Sequence, residues 1–144
     1  MLSVDRIDHG VKAVDDPALV ADLAASGTPL TTCPVSNHRL RVYGDEYPAK
    51  LGALLANGLT VTINSDDPAY FLRPGADPPA GAYIADNYEY AAQVGGLGLD
   101  AVAELARRSF RSAFVPEEEK ARLLEGVESA LAAARAPQGA DAAE

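Results

Sequence analysis

At 144 residues, 48% of them hydrophobic, the chain has the length and apolar content of one soluble globular domain with its own core. A formal net charge of −9, with twelve Lys and Arg that form no basic block, sets it against phosphate backbones and anionic lipid, so neither nucleic acid nor a membrane surface is an expected partner. The one cysteine, Cys33, has no internal disulfide partner, and without a leader pattern or an apolar run of spanning length a cytoplasmic protein is expected.

From Val4 to His9 a short strand pattern runs into Gly10, whose backbone freedom allows a sharp turn, so His9 is expected at a strand end. Asp16-Pro17 is a capping acid followed by a ring that suits a first helical turn. Leu19, Val20, Leu23 and Ala24 then share one face before Gly27. Pro29 and Leu30 to Cys33 predict a second strand closed by Pro34, with Val35-Ser36-Asn37 opening a polar loop. Pro48 opens a second helix, with Leu51, Leu54 and Leu55 on one face and Asn57-Gly58 at its end.

Thr60-Val61-Thr62-Ile63 is a β-branched run that ends at Asn64-Ser65 and delivers two adjacent carboxylates, Asp66 and Asp67. Two neighbouring like charges disfavour each other's ionisation unless a cation or donors stand nearby, which makes the pair a candidate metal or substrate site. An Asp-Asp-Pro step equally serves as turn chemistry or the start of a helix, and spacing leaves both open.

Leu72 to Ala80, with three prolines and a glycine, predicts an irregular exposed loop. Helical character resumes from Tyr83 to Gln93 and stops at Gly95-Gly96. Leu99-Asp100 reads as a staple-and-cap pair before Val102, Leu105 and Phe110, and Pro116 opens a last helix with Leu123, Leu124, Val127 and Leu131. Residues 1–135 form the expected domain and 136–144 a polar tail expected to be disordered. No internal repeat is present.

Strands separated by single helices imply parallel pairing through right-handed crossovers, in an α/β sheet or a (β/α) barrel. Three strands are few for either architecture, so these units look like part of something larger with open edges. In both architectures sites lie at the C-terminal ends of strands, where His9, the Ser36-Asn37 loop and the Asp pair are expected to converge. Two His and one Cys cannot build a Cys/His zinc cage, so a metal here needs Asp, Glu or ligands from another chain.

Three blocks carry a family likeness in order and spacing: Arg6-Ile7-Asp8-His9-Gly10, Cys33-Pro34-Val35-Ser36-Asn37, and Asn64-Ser65-Asp66-Asp67-Pro68-Ala69-Tyr70-Phe71. From about Val4 to Ala134 the chain resembles the last third of the adenosine/adenine deaminase family of zinc-dependent (β/α) barrels. Gly81-Ala82-Tyr83 and Asn87-Tyr88 place it nearer the adenine deaminase branch. The resemblance implies the C-terminal portion of a (β/α)8 TIM-type barrel: three parallel strand-helix units plus C-terminal helices. It matches Asp66 to the family's zinc-ligating aspartate, Asp67 to the aspartate that contacts the purine, and His9 to the catalytic histidine beside the water that zinc activates. His38 falls at a position that the family motif leaves open and reads as a loop histidine. Cys33 reads as a small buried residue, with no base or acid placed to activate it.

The family's His-x-His pair, third zinc histidine and proton-shuttling glutamate have no counterpart in this sequence, so of the Zn2+ ligand set only Asp66 is present. The Leu72 to Ala80 segment is an insertion relative to the family pattern, beside the site. The expectation is therefore the C-terminal part of a zinc-dependent purine aminohydrolase that is inactive by itself. A purine base or nucleoside would be its ligand once completed, and self-association or a complementary N-terminal half would close its open edges. The alternative of a different class is a non-catalytic barrel remnant serving as a binding or assembly module.

Overall fold

The computed structural model describes residues 4–136; the expected tail lies outside them apart from Ala136. In chain order the elements are β1 (Ile7–Asp8), α1 (Pro17–Ser26), β2 (Leu30–Thr32), α2 (Pro34–Arg39), α3 (Tyr47–Ala56), β3 (Val61–Ile63), α4 (Ile84–Gly95), α5 (Leu99–Arg111) and α6 (Glu117–Arg135), with short 3-10 turns at Val11–Asp15 and Gly44–Glu46. The strands form one parallel sheet in the order β1-β2-β3. This is the expected α/β architecture, a sector of a barrel wall.

Local chemistry accounts for the element ends. The Asp16 carboxylate accepts from the backbone N–H of Ala18 at 2.9 Å and of Leu19 at 3.1 Å, Pro17 occupies the first turn, and Gly27 closes α1 in the left-handed conformation. β1 is only two residues long, shorter than the Val4 to His9 run, because His9 and Gly10 both turn left-handed (φ 60° and 66°) and end the pairing. A Cβ on Gly10 would lie 2.7 Å from the Leu30 side chain, so the turn needs glycine for space as well as for φ.

Two sequence expectations are corrected. Pro34–Arg39 is helix, not loop, because Pro34 sits in the first turn, where its missing N–H costs nothing, and the carbonyls of Cys33 and Ser36 accept from Asn37 and Leu40. The cap of α5 is Gly98, not Asp100; the Asp100 carboxylate is drawn into an ion pair with Arg135 of α6 instead.

Pairing in register places Ile7, Leu30, Thr32, Val61 and Ile63 on one sheet face and Asp8, Thr31 and Thr62 on the other. The first face meets Leu51 and Leu54 of α3, Ala91 of α4 and Leu105 of α5 in the main core, with Leu30 and Val61 fully buried. The second face is polar: Thr31 donates to Asp8 at 3.0 Å and Asn64 donates to Thr62 at 2.9 Å. In a closed barrel this face points inward. No helix among the described residues is long and apolar enough to cross a membrane.

One core position is imperfect. Tyr47, fully buried at the start of α3, has a hydroxyl with no hydrogen-bond partner. A buried unpaired hydroxyl carries its desolvation penalty uncompensated, so Tyr47→Phe is expected to stabilise the fold by roughly 1–3 kcal/mol. Urea unfolding should report it as a higher midpoint at unchanged slope.

Candidate active site

The site is built on three strand ends and one short helix. β1 ends in His9, whose N–H donates to the Thr31 carbonyl at 3.1 Å, and β3 leads through Asn64 into the turn that carries Asp66 and Asp67. Asp66 is left-handed at φ 57°, like His9, so both candidate residues occupy a sparsely populated backbone region. Such outliers persist where surrounding contacts hold them. For Asp66 one contact is the Ser36 hydroxyl, which donates to Oδ2 at 2.7 Å; for His9 it is the Asn37 amide, 3.3 Å from Nδ1. Both supporting residues are on α2 and buried.

The Asp66 turn is anchored from behind. Phe71 packs with Val35 of α2 and Ala82 in a second small core, and the Ala82 N–H donates to the Phe71 carbonyl at 2.8 Å. Fully buried Asn87 on α4 binds both sides: its Oδ1 accepts from Val35 N–H at 3.0 Å, and its Nδ2 donates to the carbonyls of Ala82 and Tyr83 at 3.1 and 3.0 Å. Sequence reasoning gave Asn87 no structural role. Its partners lie 52, 5 and 4 residues away, and only the packing of α4 against α2 brings the first within reach.

His9, Cys33 and Asp66 each place one possible ligand atom within 4.8 Å of the others. As a metal set the three are unequal. Burial, followed by the charges of Asp66 and Asp8, pushes the Cys33 thiol up to about 12, so sulfur is held protonated and is neither a ready ligand nor a nucleophile. Asp66 is exposed, and Ser36 engages one of its oxygens. Its other oxygen suits a hard or borderline cation at a strand end. The described residues therefore fit part of a zinc site, one carboxylate with an imidazole beside it.

Asp67 lies outside that cluster. Its Oδ1 accepts from the N–H groups of Ala69 and Tyr70, both at 3.2 Å, so the turn chemistry left open by the sequence is realised in part. The residue is exposed, and its second oxygen makes no bond among the described residues. His38 stands apart on α2, packed between Tyr47 and Tyr90, with the Tyr90 hydroxyl 3.2 Å from its Nδ1. The Leu72 to Ala80 segment forms a small exposed loop closed by Arg73 N–H donating to the Ala80 carbonyl at 2.8 Å. Its ends pair at Leu72 and Gly81 beside the Asp turn.

Comparison with known proteins points the same way. An adenine deaminase of Chlorobium luteolum is 44% identical over 126 residues, which is 87% of this chain and 34% of that protein. The crystal structure of an adenine deaminase from Arthrobacter aurescens superposes with a TM-score of 0.77 at 41% identity, covering 91% of this chain and 37% of that one. An amidohydrolase from Burkholderia ambifaria, solved with bound Zn, shares the fold at a TM-score of 0.69 and 24% identity over 90% of this chain and 36% of its own. The chain thus spans about a third of the length of the relatives it matches. The adenosine deaminase family model matches residues 1–130, and with three parallel strands leading into His9, Cys33 and the turn that carries Asp66, this chain belongs to the adenosine/adenine deaminase family.

Proposed function

We propose that this chain supplies the C-terminal, substrate-side part of the active site of a zinc-dependent purine aminohydrolase, releasing ammonia from adenine or adenosine, and is inactive by itself. The observation that carries this is the meeting of His9 and Asp66 at the C-terminal ends of parallel strands, both in left-handed conformations held by one helix. Asp66 would hold the metal, Asp67 would contact the purine through its second oxygen, and His9 would orient and stabilise charge at the ring carbon bearing the amine. When bound, zinc supplies Lewis-acid activation of water at neutral pH. One carboxylate does not hold zinc at useful affinity, because catalytic sites need three protein ligands in fixed geometry.

The open edges support a complementary half. Among the described residues β1 and β3 each pair only with β2, and beside β1 runs an open groove of about 470 Å3 lined by Ile7, Leu19, Leu23 and Leu30, with His9 and Asn37 among its lining residues. Unpaired strand backbone and apolar lining favour association over a free monomer.

The test is the purified chain with and without the remaining two thirds of a related adenine deaminase supplied in trans. By itself the chain should scatter light as associated material, bind substoichiometric zinc and release no ammonia from either purine. The mixed assembly should gain one zinc and turnover. Tight one-to-one zinc with turnover by the chain alone would sink the dependence on outside ligands. A stable assembly without turnover would favour the barrel remnant as a binding or assembly module.

A further inference from the structure

Asn37 is 3% exposed and joins two partners through the two ends of its carboxamide. Its Oδ1 accepts from the Cys33 N–H at 3.3 Å, and its Nδ2 lies 3.3 Å from His9 Nδ1. Its backbone is tied as well, with its N–H donating to the Cys33 carbonyl at 2.9 Å and its carbonyl accepting from Val42 at 3.1 Å. Which way the amide faces follows from the Cys33 N–H. That group can only donate, so the atom facing it must be oxygen, and the end facing His9 must be the NH2. Turning the amide over would set donor against donor and leave a buried N–H unpaired.

An NH2 can only donate, so His9 Nδ1 must accept. We infer that Asn37 is a positioning residue for the proposed reaction: it holds neutral His9 in the Nε2–H tautomer and fixes the plane of its ring. The ring then offers a hydrogen-bond donor, not a lone pair, at the nitrogen Asn37 does not touch. A residue so arranged can donate to an oxygen or a ring nitrogen in the site, and it is not a metal ligand through either nitrogen without first losing this support. Ser36 performs the matching service for Asp66 from the preceding position of α2, so consecutive side chains of one helix set both strand-end groups.

This rests on the role proposed for His9, but the tautomer can be read without metal, substrate or turnover. The chain contains two histidines, so a His38→Gln chain with 15N-labelled histidine reports His9 alone, in solution or in associated solid. At alkaline pH, Nδ1 should give the signal of an unprotonated nitrogen and Nε2 that of a protonated one. Asn37→Asp keeps an oxygen for the Cys33 N–H and turns an acceptor towards the ring, so the proton should move to Nδ1 and the two signals exchange. In the completed assembly the same change should lower kcat by roughly 10–100-fold with metal content unchanged. A parent spectrum showing Nδ1–H, or averaging between tautomers as in a free imidazole, overturns the inference whether or not the variant folds. So does an Asn37→Asp chain with the parent's circular dichroism and the parent's tautomer.

Discussion

Asp66→Ala is expected to abolish zinc-dependent deamination in the assembly completed by the missing two thirds of a related deaminase. The metal supplies several kcal/mol of transition-state stabilisation, and at 1.36 kcal/mol per factor of ten its loss corresponds to roughly a thousandfold or more in rate. Two neighbours separate this outcome from general damage. Asp67→Ala should retain zinc and weaken purine binding and rate by about 10–100-fold, the range for a lost hydrogen bond to a charged group. His9→Ala should retain zinc and lower kcat by roughly 100-fold or more, as for removal of a positioned acid–base group. Metal analysis beside kinetics distinguishes the three. An Asp66→Ala assembly that binds zinc and turns over like the parent would remove Asp66 from the site while leaving the family intact.

Gly81→Ala is expected to disturb the same site without touching any candidate residue. A Cβ built on Gly81 lies 2.3 Å from the Pro68 carbonyl oxygen and 3.2 Å from its carbon. The obstacle is backbone, which cannot rotate away as a side-chain end could. Either the Asp66 to Phe71 turn moves or the Leu72–Gly81 bridge opens. Overpacking of this kind costs on the order of 1–3 kcal/mol. Displacement of the Asp turn should also stretch the Ser36 to Asp66 bond, now 2.7 Å. Chemical denaturation should show the lost stability, and the completed assembly should show impaired zinc retention, a pairing not expected from a distant core defect. Gly126→Ala is the control: it lies inside α6, where a Cβ meets nothing within 4 Å, so it should leave zinc retention unchanged and raise stability by about 0.5–1 kcal/mol, the opposite sign to Gly81→Ala.

Gly81 also gives a physical sense to one of the family-like motifs. Close approach of the Gly81 backbone to Pro68 lets Ala82 and Phe71 share a small core with Val35, and that core is the floor under the Asp pair. The Leu72 to Ala80 segment leaves this floor intact because it is closed at its base by the Arg73 to Ala80 bond and extends outward as exposed loop.

Much of the fold was legible in the sequence. The proline-bounded run at Leu30 to Thr32, the β-branched run at Val61 to Ile63, the Asp16-Pro17 cap and the leucine spacing of α3 carry their secondary structure locally, through chain punctuation, rotamer stiffness, capping bonds and period. Parallel order followed from single-helix crossovers, and the presence of His9 and the Asp pair at strand ends followed from where each strand must stop. Tertiary structure alone decided the rest. Ser36 and Asn37 read as polar loop residues because a side chain's partner 28 or 30 positions away leaves no trace in local pattern. Cys33 reads as a small buried residue from the sequence, but it comes within reach of Asp66 only because β2 is the middle strand. The left-handed turns at His9 and Asp66 likewise belong to the packed molecule: their backbone strain is offset by contacts made across strands, which exist only once the sheet and α2 have come together.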